Sequence, residues 1–297
     1  MIASYAVRLA CLSLTVFLLV HTLAGALVAA AVPAAIRAAG RMRPRGATRL
    51  LLSLRMFPAA AASLVVGVFC VPSYLWLEPE SGAEEMGWLC LGAAALAAVM
   101  FAASLLNAVR AFLRSRKYTR HCERTGAPVL MLTGILRPRL VVSRAVRDAL
   151  SPEQLAAAIG HEYAHLRASD NFKRLLLAAT PRLPGFRALE RAWSRTSEWA
   201  ADDEAVAGDT ERSLCLASAL VRVARLGTVP AEVGFLGDGA DLACRIERLL
   251  HPRAHVQPRR KSLVPAAALA LTASFVVFVW QARTLESAHR LFEHLVH

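Results

Sequence analysis

No two of the six cysteines, Cys11, Cys70, Cys90, Cys122, Cys215 and Cys244, stand close enough to form a C-x-x-C pair. That spacing excludes a zinc knuckle or a dithiol redox motif. Cys11, Cys70 and Cys90 lie in apolar runs and read as small buried hydrophobes. Charge is absent from two long stretches: residues 56–77 and 86–109 contain no Asp, Glu, Lys or Arg. A soluble helix of that length normally shows a polar face, so an ordinary globular origin does not suit either stretch. The loop between them, with Glu78, Glu80, Glu84 and Glu85, lacks any Lys or Arg.

What is present agrees with those gaps. The 297-residue chain is 56% hydrophobic, with a mean hydropathy of +0.42 and a formal charge of +13. Four runs have the ~20 apolar residues that a bilayer-crossing helix needs. They are Leu9 to Ile36, Met56 to Leu77, Met86 to Val109, and Leu263 to Trp280. The first also reads as a signal peptide, with Arg8 as its basic start and small residues near 29–35 as cleavage sites. An uncleaved span fits better. The following loop carries Arg37, Arg41, Arg43, Arg45, Arg49 and Arg55, and cleavage would leave those arginines outside, against the positive-inside bias.

Further arginines and lysines lie at 110–120, after the third run, and at 253–261, before the fourth. The distribution predicts an external N-terminus, an internal first loop, an external acidic loop, an internal segment over 110–262 and a short external tail. The basic flanks account for much of the net charge, so no direct nucleic-acid partner is expected. The expected organisation is a three-helix membrane domain over 1–114, a cytoplasmic domain over 115–260, and a fourth transmembrane helix with a short tail over 261–297. The expected location is the inner (plasma) membrane.

The internal segment opens with short apolar runs at Pro128 to Leu132 and Leu140 to Val142, read as a small antiparallel hairpin or as irregular structure. Ser151-Pro152-Glu153-Gln154 starts a helix, with serine as N-cap, proline at the first helical position and glutamine completing a capping box. Further helices are expected over about Leu189 to Val206 and Glu211 to Leu226, the last of these for core packing.

The first of these helices carries His161-Glu162-Tyr163-Ala164-His165. Residues four apart share a helical face, so both imidazoles can reach one metal ion. Glu162 then stands beside a water at that ion and can take its proton. Catalytic zinc takes a third protein ligand and keeps one open position, and two imidazoles with one carboxylate suit Zn2+. Glu198 is the candidate ligand. Asp202, four residues on, shares its face and can accept the second ring N–H of a ligand histidine.

Together, residues 136–143 (Leu136 to Ser143), the HEYAH helix, Arg167 to Asn171, and Glu198 with Asp202 resemble the BlaR/MecR-type membrane zinc metallopeptidases. The arrangement of spans around an internal zinc domain is also similar, and the resemblance extends over most of residues 1–285. It implies a mainly α membrane protein with four transmembrane helices and an α+β, minigluzincin-like domain containing a small antiparallel sheet. It also implies His161, His165 and Glu198 as zinc ligands, Glu162 as base, and a regulatory protease that cleaves itself or a transcriptional repressor. An extended substrate is expected to pair with the hairpin near 128–143. Arg245 resembles an arginine common in this group; it reads equally as an oxyanion donor or a structural salt bridge. Asp170 either orients a ligand or ties its helix end to a neighbour. His251 and His255 read as loop histidines.

With only about residues 281–297 after the fourth run, the external penicillin-binding sensor of the antibiotic-sensing members is not expected. The HtpX/Ste24-type quality-control peptidases share the same motif pair, and a non-catalytic signalling scaffold is a further alternative. The expected partners are a protein substrate and the lipid bilayer.

Overall fold

The computed structural model describes residues 5–77, 86–125, 129–135, 138–226 and 239–251. The fourth apolar run, the acidic loop, the basic residues at 253–261 and the tail lie outside the described residues. Helix α1 spans Tyr5–Gly40 and α2 spans Pro44–Val65. A π-helical turn at Val66–Cys70 leads into α3, Val71–Leu77. Pro72 follows that turn; a proline has no N–H to give and its ring crowds the preceding carbonyls, and a widened turn accommodates both. Helix α4 runs over Trp88–Thr125. Among the described residues, three helices are long and apolar enough to cross a membrane: Tyr5–Gly40, Pro44–Leu77 and Trp88–Lys117.

Helix α1 and the α2–α3 rod pack antiparallel. At one end the Tyr5 and Tyr74 rings lie 4.9 Å apart and the Ser13 hydroxyl approaches Cys70. At the other, Val28, Val32 and Ala39 share a core with Ala47 and Leu51. Cys70 and Cys90 are fully buried, as their apolar surroundings predicted.

The sequence places Arg45, Arg49 and Arg55 in a loop, and the structure does not. Helix α2 starts at Pro44, a favoured first helical residue, so all three arginines are helical. Arg55 is buried, donates from Nε to Glu190 at 2.8 Å and lies 4.7 Å from the Phe186 ring.

The remaining elements form a small α+β unit. Strands β1 (Leu130–Thr133) and β2 (Arg139–Val142) make an antiparallel hairpin with Leu132 opposite Leu140. Five α-helices follow them in the described residues: α5 (Arg144–Ala149), α6 (Pro152–Ala168), α7 (Asp170–Ala179), α8 (Phe186–Val206) and α9 (Thr210–Arg225). A sixth described helix is α10 (Gly239–Leu250). The capping box at the start of α6 forms as the sequence predicts, with Ser151 and Gln154 each accepting from the other's backbone N–H. Two apolar clusters hold α6 in place. One joins Val146, Leu150, Ala158 and Ala219; the other joins Ala157, Leu216, Ala217 and Leu249. The second confirms α9 as core packing.

This unit docks on the distal halves of α1 and α2. Phe186, Leu189, Ala192 and Trp193 of α8, with Leu177 of α7, join Val28, Val32, Ala47 and Leu51 in one cluster. Fully burying each such large side chain contributes roughly 1.5–3 kcal/mol. The turn before α8 sits close against α1. A Cβ on Gly25 would fall 2.0 Å from Leu183 Cδ1 and 3.7 Å from Phe186. Gly185, at φ +86°, turns the chain beside Ala29.

Candidate active site

Helix α6 supplies His161, Glu162 and His165 from adjacent turns, and α8 runs against it carrying Glu198 and Asp202. The structure brings all five side chains together. His161 Nε2 and His165 Nε2 lie 3.2 Å apart. Glu198 Oε2 is 3.5 Å from the first and 3.6 Å from the second. These three donor atoms form a nearly equilateral triangle. With metal–ligand bonds of ~2.0–2.1 Å, a tetrahedral zinc ion spaces its ligand atoms by about 3.4 Å, so the donor set fits zinc in both chemistry and spacing. His161, His165 and Glu198 are also the group of potential ligands that the described residues bring within reach of one ion.

The outer nitrogens of the two rings are held by carboxylates. His165 Nδ1 lies 2.7 Å from Asp170 Oδ2. His161 Nδ1 lies 3.0 Å from Asp202 Oδ1, within ion-pair range but bent away from hydrogen-bond geometry. With the outer nitrogen carrying the proton, each ring turns an Nε2 lone pair inward. Two such lone pairs and a carboxylate oxygen meeting in a buried space call for a cation. Asp202 lies beside the His161 ring without accepting its N–H in hydrogen-bond geometry. Asp170 orients a ligand; Ser169, at φ +56° between α6 and α7, turns the chain so that the first residue of α7 reaches back to His165.

Glu162 stands beside the triangle and is not part of it. Its Oε2 accepts the Leu132 backbone N–H at 2.8 Å. Asn171 donates to the carbonyls of Leu132 and Gly134, fixing β1 against α7.

Two guanidinium groups flank Glu198, Arg245 buried and Arg174 half-buried. Arg245, on α10, makes a fork with Asp202 (Nε to Oδ2 2.9 Å, Nη2 to Oδ1 2.6 Å) and reaches Glu198 Oε2 at 3.1 Å. The structural salt bridge read from sequence is therefore present, and Nη2 also lies 3.4 Å from His161 Nε2, facing the donor triangle. Arg174 donates to Glu198 Oε1 at 3.3 Å. Sequence reasoning missed Arg174 and named Asn171 without giving it a role. Both stand within a turn of Asp170 on α7, and their position on that helix was the available signal.

These contacts set the charges. Burial raises the Glu198 carboxyl, but the facing His165 and His161 and the Arg245 charge outweigh it and hold Glu198 well below the usual carboxylate range. Asp202 is likewise lowered: burial opposes this, and Arg245 and His161 overcome it. Burial disfavours the His165 imidazolium, yet the Glu198 charge and the Asp170 hydrogen bond push it up to about 10. His161 is raised in the same way by Asp202 and Glu198 against burial. Below about pH 10, the metal-free site therefore holds a proton on His165, and an entering divalent ion must displace it. Zinc binding near pH 7 is expected to release protons, and apparent affinity is expected to rise with pH toward that value. Calorimetric titration in buffers of different ionisation enthalpy measures this release; binding with no buffer dependence would contradict it.

Residues 131–187 match the model of peptidase family M48. The match runs from β1 through the HEYAH helix to the start of α8 and supports a zinc metallopeptidase. It ends before Glu198, Asp202 and Arg245, so the third ligand and its supports rest on geometry. No curated protein and no solved structure matches the chain.

Proposed function

We propose that this chain is a membrane-embedded zinc endopeptidase that hydrolyses peptide bonds in a cytoplasmic or membrane-associated protein. The donor triangle of His161, His165 and Glu198, with Glu162 free of it, carries the enzymatic reading. Zinc, held by those three residues, would act as a Lewis acid toward the scissile carbonyl. The chain's own part follows from position. Glu162 takes a proton from the attacking water as the C–O bond forms, then delivers it to the leaving amine as the C–N bond breaks. Arg245, held in place by Asp202, faces the carbonyl oxygen's side of the site and helps carry its developing negative charge. The outward backbone groups of Leu132 are already engaged by Glu162 and Asn171. This β1 edge faces the site, and an extended substrate pairs along it, exchanging with the Glu162–Leu132 hydrogen bond.

The membrane reading rests on surface and level. Leu23 and Leu27 are 69% and 67% exposed, and Trp88 and Leu89 are 88% and 89% exposed. Exposed apolar side chains on this scale mark contact with lipid or a partner. Arg55 and Gly25 both touch Phe186 and so mark one level of the antiparallel pair. From that level to the Tyr5–Tyr74 end is 20 residues of α1, ~30 Å at 1.5 Å per residue and the thickness of a bilayer core. Beyond Gly25, about 22 Å of α1 projects toward the catalytic unit. The arginine distribution supports putting this end on the cytoplasmic side of the inner membrane.

We assign the substrate role to regulatory signalling of the BlaR/MecR type. The family match carries the peptidase and stops short of either substrate class, so quality-control proteolysis of the HtpX/Ste24 type is the second reading. The test is proteomics of cells expressing wild type against Glu162→Gln. Fragments of one or a few proteins, present only with wild type, are expected. Broad loss of many damaged membrane proteins would favour quality control, and identical proteomes would count against an endopeptidase.

A further inference from the structure

One charged cleft lies outside the active site and takes no part in the chemistry above. It is an open cavity of ≈ 390 Å³ lined by Arg182, Arg187, Glu190, Arg191 and Ser194. Arg187 and Arg191 are one helical turn apart on α8, so their side chains share a face, and both are exposed. Arg182 comes from the preceding turn. The single carboxylate in the cleft is already neutralised: Glu190 Oε1 accepts from Arg55 Nε at 2.8 Å and from Arg182 Nε at 3.3 Å. The cleft is therefore left with uncompensated positive charge at Arg187 and Arg191. Neither has an ion-pair partner among the described residues.

Its place along the helices gives this charge a meaning. Glu190 is bonded to Arg55, the residue that ends the uncharged run of α2 and α3. The turn carrying Arg182 leads through Leu183 and Phe186, which pack on Gly25 of α1. The cleft thus opens at the level where the lipid-facing halves of α1 and α2 give way to the catalytic unit. A basic pocket between helices at the inner boundary of a bilayer is suited to an anionic headgroup, and arginine forks match phosphate oxygens in geometry as well as charge.

We infer that this cleft binds the phosphate of an anionic phospholipid of the inner leaflet, clamping the docked catalytic unit to the membrane surface. The inference rests on the membrane placement proposed above. Arg187 and Arg191 hold the phosphate. Arg182 is shared between the phosphate and Glu190.

The test uses the full chain purified in a neutral detergent and titrated with phosphatidylglycerol or phosphatidylcholine, with bound lipid counted by native mass spectrometry. Wild type is expected to retain phosphatidylglycerol in preference to phosphatidylcholine. Arg187→Ala/Arg191→Ala is expected to weaken phosphatidylglycerol binding by about thirtyfold. Arg212→Ala/Arg225→Ala, which removes the same charge from α9, should leave it unchanged, and Arg187→Lys/Arg191→Lys should keep part of the preference. Unchanged zinc content in every variant shows that the fold persists.

Equal retention of the two lipids by wild type, or equal phosphatidylglycerol binding by the cleft variant, overturns the proposal. Glycerol 3-phosphate binding as tightly as the lipid would assign the cleft to a free phosphate compound. Poly-glutamate displacing the lipid at equal affinity would assign it to an acidic protein segment. Either result also overturns the lipid site. Failure of the chain to integrate into membranes at all would sink the membrane reading; loss of lipid preference in an integrated chain would sink only the cleft.

Discussion

Replacing Glu162 by glutamine is expected to leave zinc bound and to reduce proteolysis by about 10²–10⁴-fold, the usual contribution of a positioned general base. The substitution is chosen for what it preserves. Glutamine keeps the length of glutamate, and its amide oxygen still accepts the Leu132 N–H that now binds Glu162 Oε2 at 2.8 Å. Helix α6 and the hairpin therefore stay in register. The donor triangle consists of His161, His165 and Glu198, so no ligand is lost. What disappears is the carboxylate proposed to take a proton from water and give it to the leaving amine. Metal analysis beside a cleavage assay separates the outcomes. Retained cleavage removes Glu162 as base, and lost zinc shows that the side chain supports the metal in a way the geometry does not suggest.

The second large effect is expected at Arg245. Its side chain is 5% exposed and binds Asp202 through a fork and Glu198 through its remaining nitrogen. Arg245→Leu removes one member of a buried charge cluster and leaves two carboxylates facing each other without it. Breaking a buried pair in this way costs about 3–5 kcal/mol, which lowers a domain's melting midpoint by on the order of 10 °C. Asp202 also holds His161, so zinc affinity is expected to fall by about 10–100-fold as well. Arg245→Lys is expected to restore little, since a point charge on a flexible stem cannot reproduce the fork. Thermal unfolding and zinc titration of both variants provide the test. A leucine variant with wild-type stability and zinc affinity would show that the cluster is not held by this arginine.

How much of this was legible in the sequence depends on the range of the forces involved. Helix α6 was legible because its start is coded locally, in Ser151, Pro152 and Gln154, and because a four-residue spacing brings His161 and His165 to one face regardless of the rest of the fold. Glu198 and Asp202 were legible only in company with that helix, since an acidic pair on one helical face has many uses. The extent of α1 was harder. Hydropathy reads Leu9 to Ile36 as one run, yet Val28 and Val32 pack in the cluster with α8 while Leu27 stays exposed, and hydropathy is blind to the difference. Arg55 shows the same limit from the polar side. It reads as one more basic flank residue, although it is a buried partner of Glu190. The roles of Arg174 and Asn171 went unread because their partners, Glu198 and the β1 carbonyls, are supplied by tertiary packing that no local pattern encodes. Arg245 was seen, but sequence could not choose between its two roles; the fork to Asp202 establishes the structural one.

The central claim is that two imidazoles and one distant carboxylate meet at a single zinc ion. X-ray absorption at the zinc edge of the purified full-length protein tests it most directly. The account predicts about one zinc per chain, with nitrogen and oxygen neighbours at ~2.0–2.2 Å and imidazole outer-shell scattering that is lost, together with the metal, in His161→Ala and Glu198→Ala. Negligible zinc in wild type, or a shell of sulfur neighbours at ~2.3 Å, would contradict it.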